Sequence, residues 1–167
     1  KANSALVGPS EGVAVRFPDK RTDHEAELGV IIGKRGSDIP IEEAFDYVAG
    51  YALAMDMVVR GGQDRSMRKS IDTYAVLGPW MITADEVPEP ENLEFELRVN
   101  GEVRQKANTS MMIMKLAHQI SWGSNYYTLL PGDIIMSASP LRPAMVHIPA
   151  GTFLMGSPEA EEGRYGN

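Results

Sequence analysis

The chain has 167 residues and a mass of 18.3 kDa, which suits a single hydrophobic core. With 43% hydrophobic and 23% charged residues it has globular composition, its apolar runs are far too short to span a membrane, and zero cysteines exclude disulfides, thiolate chemistry and cysteine-built zinc sites. A net charge of −7 argues against nucleic acid as a partner, and no leading segment has the make-up of a secretion signal, so a soluble cytoplasmic protein with no membrane partner is expected.

The first residues, Lys1 to Gly8, contain no initiator methionine and run straight into strand-like sequence, so the chain reads as a fragment or a processed form. His24 to Gly33 alternates, with Ala26, Leu28, Val30 and Ile32 on one face and Glu25, Glu27, Gly29 and Ile31 on the other. Ser37-Asp38-Ile39-Pro40 predicts a helix entry, with Glu42 and Glu43 in its first turn and an end near Val48. Tyr51 to Val59 predicts a buried strand that is bulky at Tyr51, Leu53, Met55 and Met57, while Gly50, Ala52 and Ala54 leave room around Asp56. Arg60 to Ser70 is polar, carries Gly61-Gly62 and predicts a loop over a site.

Tyr74 to Thr83 is strand-like with a break at Gly78-Pro79, and Asn100-Gly101 between two alternating runs predicts a type I′ hairpin. Thr109 or Ser110 would cap a helix whose apolar face is Ile113, Leu116, Ala117 and Ile120, ending at Gly123. Pro131-Gly132-Asp133 turns the chain into a last short strand, Ile134 to Ala138. Strands dominate and two or three helices cover them, which makes an α+β, mainly β domain. Residues 1–140 form that domain, and residues 141–167, rich in proline, glycine and glutamate, form an atypical, poorly ordered tail.

Chemistry can live in three places. Glu25 and Glu27 project from one strand face, and Asp56 lies mid-strand among small residues, where a bare carboxylate is costly to bury. Three convergent carboxylates repel one another unless a cation neutralises them, and all-oxygen donors suit Mg²⁺, Mn²⁺ or Ca²⁺. The same residues also fit a blander role, the glutamates as a solvated strand face and Asp56 as a salt-bridge partner. Arg60, Gln63 and Lys69 supply a fork donor, an amide and a point charge suited to a carboxylated substrate, whereas Arg65 and Arg68 read as surface residues. In Ser137-Ala138-Ser139 a hydroxyl could meet a substrate carboxylate, although a turn serine needs no such role. His24, His118 and His147 read as structural, and Met111, Met112 and Met114 as core or gap fillers.

A series of short motifs, in order, resembles the fumarylacetoacetate hydrolase family. It comprises Ser4 to Pro9, His24 to Lys34, Asp46 to Tyr51 with Asp56 and Arg60, Lys69-Ser70-Ile71-Asp72-Thr73, Leu77-Gly78-Pro79-Trp80, Val99-Asn100-Gly101-Glu102 and Leu130-Pro131-Gly132-Asp133. The resemblance is greatest to the branch that holds acylpyruvate hydrolases and the hydratases and isomerases of aromatic catabolism. It implies a fumarylacetoacetate-hydrolase-like β-roll or sandwich, Mg²⁺ or Mn²⁺ on Glu25, Glu27 and Asp56, Lys69 near metal and substrate, Arg60 and Gln63 beside substrate, and a homodimer. It also places Ser139 at the substrate, with Ala138 where the family has glycine.

The implied reaction is hydrolytic carbon–carbon cleavage of a 2-oxo or 1,3-diketo acid, the leaving carbanion being held as a metal-bound enolate. Hydration, isomerisation, decarboxylation or a non-catalytic remnant are the alternatives. Three departures from the pattern stand out, one being Gly61-Gly62 where many members have charged or β-branched residues. The upstream His–Glu lid of the family is expected to be missing, since the sequence starts at Lys1, and Met145 to Ser157 resembles the opening of a formylglycine-generating-enzyme domain, without its cysteines.

Overall fold

The computed structural model describes residues 1–137 and the strand at Thr152–Phe153. Strands predominate, as alternation and β-branched content require. In chain order they are β1 (Leu6–Val7), β2 (Val13–Ala14), β3 (Thr22–Ile32), β4 (Val48–Val59), β5 (Ala75–Leu77), β6 (Ile82–Thr83), β7 (Glu94–Val99), β8 (Glu102–Asn108), β9 (Ile134–Met136) and β10 (Thr152–Phe153). Among the described residues, two α-helices interrupt them, α1 (Arg65–Lys69) and α2 (Leu116–Ser124).

The main sheet runs β1-β5-β4-β3-β9, with β6 attached to β4. β3 and β4 are its long central antiparallel pair, in a register that sets Glu25 opposite Asp56, Glu27 opposite Ala54 and His24 opposite Met57. Directly opposed residues share a face, so this register decides which side chains meet. One face carries both apolar clusters. Leu28, Val30, Ile32 and Tyr51 pack there against Ile39, Leu116 and Ile120, while Met55, Met57 and Val59 pack against Val13, Tyr74 and Val76. The other face carries Glu25, Glu27 and Asp56 above the small residues Gly29, Ala52 and Ala54.

β7 and β8 form the expected hairpin, with Asn100 at φ 52° and Gly101 at φ 81°, the left-handed pair that a type I′ turn demands. The break at Gly78-Pro79 separates β5 from β6 as the sequence suggests. Gly50 is required by β6, because a Cβ there would sit 2.3 Å from the Ile82 carbonyl oxygen.

Three expectations need correction. The segment before β4 is a 3-10 helix over Ile41–Tyr47, entered through Pro40 without a side-chain cap, and Val48 already belongs to β4. The stretch after Arg60 is not all loop, since the Asp64 carboxylate accepts from the Ser66 N–H and starts α1. The helix predicted from Thr109 or Ser110 is a 3-10 turn over Thr109–Met111 followed by α2 from Leu116. Ile113 falls between them and is 99% exposed, so it is no part of the core. Leu53 likewise departs from its bulky neighbours: it is exposed and belongs to neither cluster, while Tyr51, Met55 and Met57 are buried.

Candidate metal and substrate site

The site is built where β3 and β4 run side by side. Glu25, Glu27 and Asp56 each offer a carboxylate oxygen, and these oxygens lie within 4.8 Å of one another. Glu27 and Asp56 are buried, and no salt bridge reaches the Glu27 carboxylate among the described residues. Burial above all, and then the neighbouring Asp56 charge, pushes the Glu27 carboxyl up to about 8.

Two ammonium groups share the site. Lys69 Nζ donates to Glu25 Oε2 at 2.7 Å and to Asp56 Oδ2 at 2.5 Å, so the space between those carboxylates already accommodates a cation. Burial works against the charged Lys69, but its hydrogen bonds to Asp56 and Glu25 outweigh it and hold the ammonium above its usual range. Lys1 is the group that sequence reasoning missed. Its Nζ lies 2.5 Å from Asp56 Oδ1 and donates to the carbonyl oxygens of Met57 at 3.2 Å and Tyr74 at 2.7 Å. Here burial prevails over the Asp56 carboxylate and lowers the Lys1 ammonium from its ordinary value. No local pattern marks Lys1, since its partners are more than 50 positions away in the chain.

Arg60 continues this ladder of alternating charges. Its Nε donates to Asp23 Oδ2 at 2.7 Å and its Nη2 to Glu25 Oε1 at 3.0 Å, so it fixes the orientation of Glu25. Burial opposes the Asp23 carboxylate, yet the Arg21 and Arg60 guanidiniums together hold its carboxyl below the usual range.

A cavity of about 800 Å³ opens over Asp56, Lys1 and Lys69. Its walls come from β5 and β9, from the turn at Gly132 and Asp133, and from Asp64, Arg65 and Ser66. Arg65, a surface residue by sequence, is exposed and also lines this cavity. Gln63 stands apart from it: the side chain is exposed in the loop and its carbonyl oxygen lies over Gly61, 2.4 Å from where a Cβ there would be. Ser137 is a pairing residue. Its Oγ accepts from the Leu28 N–H and its own N–H donates to the Leu28 carbonyl, both at 2.9 Å, which extends β9 along β3. Ser139 and Ala138 lie outside the described residues, as do His147 and the segment resembling a formylglycine-generating enzyme, save the two residues of β10.

His24 is buried with neither ring nitrogen hydrogen-bonded among the described residues, and burial lowers it from its ordinary value; it lies on the apolar face, away from the carboxylates. Met112 is buried as expected of a core filler, whereas Met111 and Met114 are exposed.

All-oxygen donors, a gap already bridged by a cation and a floor of small residues make this a mainly-β protein with a strand-built site fit for a hard divalent ion. The chain belongs to the fumarylacetoacetate (FAA) hydrolase C-terminal family, whose model matches residues 1–152. It is 51% identical over 140 residues to a maleylpyruvate hydrolase of Aquipseudomonas alcaligenes, covering 84% of this chain and 49% of that protein. It is 38% identical over 145 residues to the mitochondrial oxaloacetate tautomerase Fahd2a of Rattus norvegicus, covering 84% of this chain and 46% of that one. Among solved structures, the maleylpyruvate hydrolase of Sphingobium sp. SYK-6 in complex with manganese(II) and pyruvate superposes with a TM-score of 0.77 at 40% identity, covering 90% of this chain and 53% of that one. The chain therefore spans about half the length of the relatives it matches.

Proposed function

We propose that this chain carries the metal-binding catalytic unit of a hydrolase that cleaves a carbon–carbon bond in an acylpyruvate-like 2-oxo, 1,3-diketo acid. The observation that carries the reading is the Glu25, Glu27 and Asp56 cluster with Lys69 bridging two of its members. Mn²⁺ or Mg²⁺ held by the three carboxylates would act as a Lewis acid toward the oxygens of a 2-oxo acid. Water adds to the distal carbonyl, the bond between that carbon and the methylene breaks, and a carboxylic acid and pyruvate result. The electron pair left on the methylene carbon is delocalised as the enolate of pyruvate, and a proton returns to that carbon. Lys69, an ammonium held in its charged form, stabilises the developing negative charge, and Lys1 adds a second positive charge at Asp56. Arg60 keeps Glu25 aimed at the cluster. The named ligands of the Sphingobium relative, manganese and pyruvate, support the same chemistry here.

A second reading shares the pyruvate-type enolate but stops at proton transfer, as an isomerase, hydratase or decarboxylase would. The likeness to an oxaloacetate tautomerase favours it. The catalytic unit is residues 1–140, or 1–152 if the reach of the family model sets the boundary. A homodimer accompanies this reading, supported by the exposed apolar strip of Leu53, Trp80, Met81 and Ile82. The cytoplasmic setting rests on composition.

Two measurements test the proposal. Calorimetric titration of Mn²⁺ into the chain and into a Glu25→Gln, Glu27→Gln double variant should show binding that the variant loses. Pyruvate release from an acylpyruvate by the Mn²⁺-loaded chain should then be abolished in Lys69→Met. Solvent deuterium entering C3 of oxaloacetate without acylpyruvate cleavage would establish the second reading instead, and metal binding with neither reaction would leave a folded, non-catalytic unit.

A further inference from the structure

The cavity is larger than a three-carbon 2-oxo acid requires, so it has room for the remainder of a longer substrate. Three cationic side chains line it: Lys1, Lys69 and Arg65. The first two are committed, Lys1 to Asp56 and Lys69 to Glu25 and Asp56. The Arg65 guanidinium has no ion-pair or hydrogen-bond partner among the described residues, whereas those of Arg60, Arg68 and Arg16 are engaged by Asp23, by the Gln63 carbonyl and by Asp72 respectively. Besides Asp56, two anions line the cavity, and each accepts a local hydrogen bond: Asp64 Oδ1 from the Ser66 N–H at 2.8 Å, and Asp133 Oδ2 from the Leu130 N–H at 2.7 Å.

One turn of α1 from Lys69, the cavity lining thus presents a guanidinium with no partner among the described residues, whose planar fork matches a carboxylate in two hydrogen bonds. A neutral acyl arm would leave that exposed group to solvent, while an arm ending in a carboxylate would be read at its far end. We propose that Arg65 is a specificity-determining residue that receives the distal carboxylate of the substrate, so that the chain prefers 2-oxo acids carrying a second, terminal carboxylate over those with an uncharged arm. This inference rests on the 2-oxo-acid reading given above, and concerns the end of the substrate remote from the carboxylate cluster. It also accounts for the sequence Asp64-Arg65-Ser66: capping by Asp64 fixes the first turn of α1, which presents Arg65 at the cavity rim.

The test uses binding, so it does not depend on turnover. 2-Oxoheptanedioate and 2-oxoheptanoate share a head group and differ in whether the far end is a carboxylate. Titrated into the Mn²⁺-loaded chain, the diacid should bind at least about tenfold more tightly than the monoacid, the gain expected of a charge-assisted pair. In Arg65→Gln that ratio should fall to about one, and Arg65→Lys should keep part of it as a point charge without the fork. Arg68→Gln removes the same net charge from outside the cavity lining and should retain the full ratio. An unchanged ratio in Arg65→Gln, an equal loss in Arg68→Gln, or no preference in the parent chain would each overturn the assignment. Binding of neither acid to the Mn²⁺-loaded parent would instead overturn the 2-oxo-acid reading, and the role of Arg65 with it.

Discussion

At the residue scale the unusual group is Glu27. Its neighbours Glu25 and Asp56 have ammonium partners, but Glu27 is buried without one, and its carboxyl is pushed up to about 8. At pH 6 this side chain holds a proton that a metal ion must displace; above pH 8 it does not. Mn²⁺ affinity should therefore rise with pH, by on the order of 100-fold between pH 6 and pH 8.5 for a group titrating about two units above the lower value. Calorimetry at the two pH values in buffers of different ionisation enthalpy would count the proton released at the lower one. Glu27→Gln should bind more weakly at pH 8.5 and flatten the dependence. A wild-type affinity independent of pH would show that Glu27 is already ionised in the folded chain and is no proton competitor.

At the scale of elements, the placement of Glu25 and Glu27 depends on how both edges of β3 are held. One edge pairs along its whole length with β4, but β9 covers only Gly29 to Ile31 of the other. The remainder is completed by side chains. Gln105 of β8 accepts from the Ala26 N–H and donates to the Ala26 carbonyl, both at 2.8 Å, and Ser137 does the corresponding work at Leu28. An amide side chain here replaces a missing strand, in the core and between the two glutamates. Gln105→Leu would strand one backbone donor and one acceptor, at a cost of about 2–4 kcal/mol. Urea unfolding should show that loss, while Val103→Thr on the exposed side of the same strand should stay within about 0.5 kcal/mol of the parent. An undiminished Gln105→Leu chain would mean that water replaces the amide.

These two edges also show what a sequence can carry. The alternation of β3, the Asn100-Gly101 turn and the small residues around Asp56 are local or periodic signals, and each predicts its structure. The Glu25 and Asp56 register is only implied by them, because it depends on how two residues in separate strands, 31 positions apart in the chain, align. Gln105 to Ala26 spans 79 positions and Lys1 to Tyr74 spans 73, and nothing in the composition around any of them marks the contact. The helix errors have a different origin. Apolar spacing at Ile113 and the acidic first turn at Glu42 and Glu43 are compatible with an α-helix, but Pro40, extended backbone at Met112 and the short connection into β4 leave room only for 3-10 turns. Arg65 is exposed, as a charged residue after a glycine pair suggests, and its place in the cavity lining depends on walls that no local pattern reveals.

At the scale of the molecule, the site joins segments that hold the sheet together. β3 supplies Glu25 and Glu27, β4 supplies Asp56, Lys69 ends α1, and Lys1 ties the start of the chain to β4 and Tyr74. An ion bound there would cross-link the central pair of strands, so binding and folding must be coupled. The sign of the coupling follows from Glu27. Its folded carboxyl titrates near 8, above its ordinary 4.5, so the folded chain keeps a proton that the unfolded chain has lost. That contribution to stability is fully present below pH 4.5 and disappears as pH rises through about 8, leaving a buried, unpaired carboxylate in the metal-free protein. Mn²⁺ reverses the loss, because the ionised carboxylate that destabilises the empty site is the form that binds. Thermal unfolding of the metal-free chain should then begin at a lower temperature at pH 8.5 than at pH 6. Mn²⁺ at 100 times its dissociation constant should add about 2.7 kcal/mol, or roughly 5–10 °C for a domain of this size. At one fixed Mn²⁺ concentration the increment should be greater at pH 8.5 than at pH 6. The Glu25→Gln, Glu27→Gln variant should show neither the alkaline loss nor the rescue. Equal increments at both pH values would place the ion elsewhere than on Glu27, since only a ligand that must first lose a proton there can make the stabilisation grow as the metal-free fold weakens.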